Sequence, residues 1–152
     1  MFSVQTEESV IKRIDFIEKR LFSFGYKSYE KEFSNLPHTF MMAVQMGEYA
    51  IFPDIFSQPY LMVSEMVMQV MKLYQMEPFY RKVILSDENS EQYKAYFLLY
   101  FDRQAVLLHR DFIYEWTPEY KINCMISLDF AESILRRGAQ GIQLKEIKTE
   151  DR

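Results

Sequence analysis

The stretch Tyr93-Lys-Ala-Tyr-Phe-Leu-Leu-Tyr-Phe101 constrains this chain most. Aromatic and apolar residues of this density fit a pleated, half-buried surface, so it reads as a long strand whose side chains go mostly to core. Tyr80 to Leu85 reads as a strand before it, with Asp87-Glu-Asn-Ser90 as the turn between them. Asp102-Arg103-Gln104 reads as a second tight turn and Ala105 to His109 as a return strand, which makes a β-meander over about residues 80–109.

A meander with apolar side chains needs helices against it. The first expected helix runs over about residues 7–24, with Thr6 as N-cap and Glu7 and Glu8 in its first turn. Val10, Ile14, Ile17 and Leu21 recur at helical spacing, and Gly25 offers a stop. Thr39 to Val44 reads equally as a strand or as part of a short helix. Ser64 and Glu65 then start a strongly apolar helix through Met66, Val67, Val70, Met71 and Tyr74, which Pro78 ends. Tyr120 to Ile126 reads as a strand, followed over about residues 128–147 by a helix capped at Ser127 or Asp129 and a short last strand. The expected architecture is a single α+β domain over residues 1–152, with about three helices packed on an antiparallel or mixed sheet.

Composition narrows the class of function. One cysteine, Cys124, precludes an intrachain disulfide and suits a reducing compartment. The N-terminal residues lack the basic and apolar regions of a secretory signal, so the expected location is cytoplasmic. No apolar run reaches the ~18 residues of a membrane span. A formal charge of −4 disfavours nucleic acid and anionic membranes as partners, since both call for a basic surface.

The usual signatures of chemistry are missing, and no enzyme activity, metal or cofactor is expected. His38 and His109 have no second His or Cys at ligand spacing. Cys124 lies in an apolar strand-like setting where a buried, inert thiol is the default. Gly138-Ala-Gln-Gly141 follows a helix and precedes a strand, whereas phosphate loops run from strand to helix. Paired acids occur at Glu7/Glu8, Asp87/Glu88 and Glu150/Asp151, where solvated charge is expected. Two segments retain interest. In Asp111-Phe-Ile-Tyr-Glu-Trp116, aromatics alternate along a strand or loop beside acids, which reads either as a cap on the core or as a recognition surface. His109, Arg110 and Asp111 place a base, a cation and an acid at consecutive positions, the basis of an alternative small-ligand or enzymatic pocket.

The phrase Asp54-Ile-Phe-Ser-Gln-Pro-Tyr-Leu-Met-Val-Ser-Glu65, leading into a helix, resembles the small α+β immunity proteins of bacterial polymorphic toxin systems. A second phrase, Leu135-Arg-Arg-Gly-Ala-Gln-Gly-Ile-Gln-Leu-Lys-Glu-Ile147, carries the same resemblance. It covers about residues 54–147 and leaves out the N-terminal third. The resemblance implies a protein that binds and neutralises a cognate toxin domain by stoichiometric occlusion, and it carries over no catalytic residue. An aromatic and acidic contact surface would suit that task, with Tyr114, Glu115, Trp116 and Glu119 as one patch and Asp87 and Glu88 as another. A third reading, a homo-oligomer, follows if the abundant Met and aromatic residues leave an apolar patch exposed.

Overall fold

The computed structural model describes residues 1–17, 29–100, 107–116 and 122–148. In chain order the elements are β1 (Phe2–Thr6), α1 (Glu8–Ile11), β2 (Ile14–Phe16), α2 (Tyr29–Ser34), β3 (Thr39–Met46), β4 (Ile55–Phe56), β5 (Met62–Ser64) and α3 (Glu65–Leu73). Then follow β6 (Tyr80–Asp87), β7 (Tyr93–Leu99), β8 (Leu107–His109), β9 (Phe112–Trp116), β10 (Ile122–Ile126), α4 (Leu128–Arg136) and β11 (Ile142–Glu146).

The strands form two sheets. One has five strands in the order β11-β1-β10-β9-β8, and the other six in the order β2-β3-β6-β7-β5-β4. The printed pairings are antiparallel apart from β3 with β6. That parallel pair needs a long crossover, which the segment carrying β4, β5 and α3 supplies. The expectation of about three helices on a single sheet is therefore corrected: among the described residues four short helices accompany two sheets, and strand dominates.

The N-terminal helix expected over residues 7–24 is the largest local error. Among the described residues of that span only Glu8–Ile11 is helical, and Ile14–Phe16 is a strand paired with β3. Val10 and Ile14 fit a helical period, but Ile14 and Phe16 also alternate about exposed Asp15. Pairing of Ile14 with Met46 and Phe16 with Val44 decides between the two periods. Thr6 is the last residue of β1 rather than a helix cap, and its hydroxyl donates to the Ile55 carbonyl at 3.0 Å. Ser57 N–H donates in turn to that hydroxyl at 2.9 Å, so the same side chain ties the two sheets together. The part of the expected helix around Leu21 and Gly25 lies outside the described residues.

The meander is half right. β6 and β7 pair antiparallel from Tyr80 with Leu99 to Ser86 with Tyr93. β8 belongs to the other sheet, where it pairs with β9 across the turn at Arg110 and Asp111. The expected turn at residues 102–104 lies outside the described residues.

The later elements follow their sequence signals. Ser64 caps α3 by accepting from Val67 N–H at 3.4 Å, and Ser127 caps α4 by accepting from Phe130 N–H at 3.1 Å. α3 stops at Tyr74, ahead of Pro78, with Gln75 in the left-handed region at φ 63°. Its buried face of Val67, Met68, Val70 and Met71 joins Phe130 and Ile134 of α4 in the core. Tyr74 packs on Phe130 with ring centroids 5.4 Å apart, and its hydroxyl lies 2.9 Å from Ser133 Oγ. One apolar core takes side chains from both sheets, including Val4, Phe112, Tyr114 and Ile126 from the first and Val44, Phe56, Leu85 and Tyr96 from the second. Among the described residues no helix is long and apolar enough to cross a membrane.

Candidate functional site

Three strands of the larger sheet, β3, β6 and β7, end together at a polar cleft of ≈ 380 Å³. Gly47, Glu48, Tyr49 and Ala50 after β3 form one wall, and Asn89, Ser90 and Gln92 of the β6–β7 turn form the other. Asp87 sits at its base, only 4% exposed. Its Oδ1 accepts from Met46 N–H at 3.0 Å and Asn89 N–H at 3.1 Å. Its Oδ2 accepts from the Ser90 hydroxyl at 2.6 Å, while Asn89 Nδ2 donates to the Met46 carbonyl at 3.0 Å. Burial pushes the Asp87 carboxyl up, but the hydrogen bonds from Ser90, Met46 and Asn89 outweigh it and hold the group below its ordinary value. This carboxylate is a clasp that fixes both walls of the cleft. Around it Glu48, Glu88 and Glu91 are exposed, as are Tyr49 at 83% and Tyr93 at 73%. Arg13 stands beside Gly47 on the same end, so acids outnumber bases there.

A second polar centre is closed to solvent chemistry. Asp54, 6% exposed, accepts from the Ser64 hydroxyl at 2.7 Å through Oδ1 and from Gln140 N–H at 2.8 Å through Oδ2. Lys94 Nζ lies 3.6 Å from the same Oδ1. The Tyr96 hydroxyl donates to the Pro53 carbonyl at 2.5 Å. Burial, then the charge of Asp54, pushes that phenol far above its ordinary range. The combination of Ser, Lys, Asp and Tyr looks catalytic by composition, yet its hydrogen bonds hold backbone segments together and its hydroxyls are already committed.

The aromatic segment expected to form a contact surface divides. Tyr114 is 2% exposed and belongs to the core, so its side chain is not a surface contact. The alternation that suggested a recognition strip is that of a strand with one face against the core. Glu115 and Trp116 end β9, paired with Asn123 and Ile122 of β10. Glu119 lies outside the described residues. Of the second patch, Asp87 is buried as the clasp and Glu88 is exposed at the turn.

The alternative triad is spread by its hairpin turn. His109 ends β8, Arg110 is exposed, and Asp111 is buried with its carboxylate 3.6 Å from Arg110 Nε. The Asp111 carbonyl accepts from Ser127 N–H at 3.1 Å, a bond that ties this turn to the start of α4. Cys124 is buried, and burial pushes its thiol far up. Strand β9 separates it from the strand of His109, so no Cys–His pair of neighbouring strands forms. His38 is exposed, 6.0 Å from the Tyr80 ring. Among the described residues no group of three His, Cys, Asp or Glu is placed to hold a metal ion.

Sequence reasoning missed the apolar side chains on the second face of the β3-β6-β7 sheet and the exposure of Tyr49. The signal for the first is present: in β3 and β6 both alternations carry apolar residues, as they do in strands expected to have two covered faces. Tyr49 has no such signal, because its exposure follows from a turn in which it takes φ 63°. Comparison with protein-family models finds no match to this chain, and comparison with curated proteins finds none either.

Proposed function

We propose that this chain is a binding protein of the immunity type, which occludes a cognate toxin domain through the acidic, tyrosine-bearing end of its larger sheet. The observation that carries the reading is the cleft itself: two rigid walls held by buried Asp87, flanked by exposed Tyr49, Tyr93, Glu48, Glu88 and Glu91. Tyrosine gives large contact area at low conformational cost, and clustered carboxylates steer a basic protein surface toward it. The resemblance over about residues 54–147 supports the same reading. Its two phrases also meet in space, since Asp54 of the first holds Gln140 of the second.

The test is co-purification of the full chain with the C-terminal domain of whatever large protein is encoded beside it, with the toxicity of that domain scored in the same cells. A tight one-to-one complex that abolishes toxicity is the expected outcome. Absence of a complex, or a complex that leaves toxicity intact, would sink the proposal. The hairpin cluster His109, Arg110 and Asp111 remains the alternative small-ligand reading, and the surface position of Arg110 gives it less support than the cleft has.

A further inference from the structure

The larger sheet is covered unevenly. On the face that carries Phe97, Ile55 and Val63 of β4 and β5 are fully buried and belong to the core, and α3 lies against β5 and β7. Among the described residues, the β3–β6 half of the same face is the more exposed part. The register places Met41, Ile84 and Ala95 in one row across β3, β6 and β7, and Ala43, Ser86 and Tyr93 in the next. Cross-strand partners point to the same side of a sheet, so Met41, Ala43, Ile84, Ala95, Phe97 and Tyr93 share one face, with Ser86 between Ala43 and Tyr93 and the row Thr39, Lys82 and Phe97 at its far edge. Met41 is 70% exposed and Tyr93 73%, while Ala43, Ile84, Ala95 and Phe97 are half-buried. Tyr93 follows Gln92 of the cleft wall, so the apolar face runs directly into the acidic end.

Resting on the immunity reading, we infer that the outer face of β3, β6 and β7 is the apolar centre of the partner interface, and that its occupant is a protein surface with an aliphatic or aromatic knob bordered by Lys or Arg. Charge selects this occupant over a second copy of the chain. Two copies would each bring a formal −4 to the contact, and Glu48, Glu88 and Glu91 outnumber Arg13 and Lys82 around this face. Size agrees. Three strands about 4.8 Å apart and five residues of roughly 3.3 Å each present a patch on the order of 200 Å² in projection. A stable interface takes roughly 800 Å² per partner. A patch this small serves as the desolvated centre of a larger contact, and the cleft with its tyrosines and glutamates supplies the rim.

The experiment is calorimetric titration of the full chain with a catalytically inactivated C-terminal domain of whatever large protein is encoded beside it. It compares wild type with Met41→Glu, Ile84→Glu and a control, Leu73→Glu, on the exposed side of α3, with circular dichroism melts to establish folding. Met41 is mostly solvated, so Met41→Glu keeps the fold even if Ile84→Glu does not. A loss of about 30-fold or more in affinity for Met41→Glu, with Leu73→Glu unchanged, is the expected result. Wild-type binding that Met41→Glu leaves intact overturns the docking face and leaves the immunity reading standing. No wild-type binding overturns both. A wild-type chain that self-associates in light scattering, and is made monomeric by Met41→Glu, assigns the face to a second copy and overturns the occupant inferred here.

Discussion

Asp54 and Gln140, which are 86 residues apart, hold one another by two hydrogen bonds. Asp54 N–H donates to the Gln140 carbonyl at 3.0 Å, and Gln140 N–H donates to Asp54 Oδ2 at 2.8 Å. The pair joins the loop before β4 to the turn between α4 and β11. Replacing Asp54 by Ala would leave Gln140 N–H and the Ser64 hydroxyl without their acceptor in a buried setting. The expected loss is about 3 kcal/mol of unfolding free energy, with Asp54→Asn costing less because it keeps one carbonyl oxygen. Urea denaturation measures both, and a loss under ~1 kcal/mol for the alanine variant would remove the pair from the account of the fold.

The two glycines of the same turn are expected to differ. Both have positive φ, 81° for Gly138 and 73° for Gly141. A Cβ on Gly138 meets open space, whereas one on Gly141 would lie 2.7 Å from Pro53 Cβ and 2.9 Å from its Cα. Gly138→Ala should cost only the left-handed penalty of about 1 kcal/mol. Gly141→Ala adds a clash with a loop that cannot yield freely, for a total of roughly 3 kcal/mol or more. Equal melting temperatures for the two variants would contradict the packing of Pro53 on Gly141.

Asp87 gives the stability a pH signature. Its carboxyl titrates below the ordinary range of an Asp side chain when folded, so its stabilising contribution is fully present above the unfolded value and is lost as pH falls through the folded one. Urea midpoints from pH 6 down to pH 3 should fall for wild type by more than for Asp87→Asn, which lacks this titration. At neutral pH, Asp87→Ala is expected to cost about 3 kcal/mol by stranding the donors of Met46, Asn89 and Ser90. Parallel pH profiles for wild type and Asp87→Asn would refute the assignment.

Tyr114→Ala is a test of folding and not of affinity. The side chain is buried in the core, so its removal should destabilise by about 3–5 kcal/mol through lost contacts and cavity formation. Melting temperature is the readout, and a surface role would leave it unchanged.

Cys124 should resist alkylation in the native protein and react fully in urea. Its thiol is buried and pushed away from the thiolate form. Rapid reaction of the native chain with iodoacetamide would show that β10 is open to solvent.

Local signals determined the elements whose boundary chemistry is carried by adjacent residues. Ser64-Glu65 and Ser127 set the starts of α3 and α4, Gly138 the end of α4, and the aromatic run from Tyr93 marks β7. Those are contacts within a turn or along one strand, so sequence neighbours suffice. The sequence also supplied Glu88 as an exposed acid, because a turn of polar residues stays in water. Tertiary structure alone decided the remainder. Ile14 and Phe16 become a strand because β3 offers them partners, and β8 leaves the meander because its partner is β9. Asp87 turns from solvated acid into buried clasp, and Tyr114 from surface aromatic into core, because of strands distant in sequence. The exposure of Met41 has the same origin: an apolar strand is buried only on the sides where something else packs, and its own residues do not say what that is.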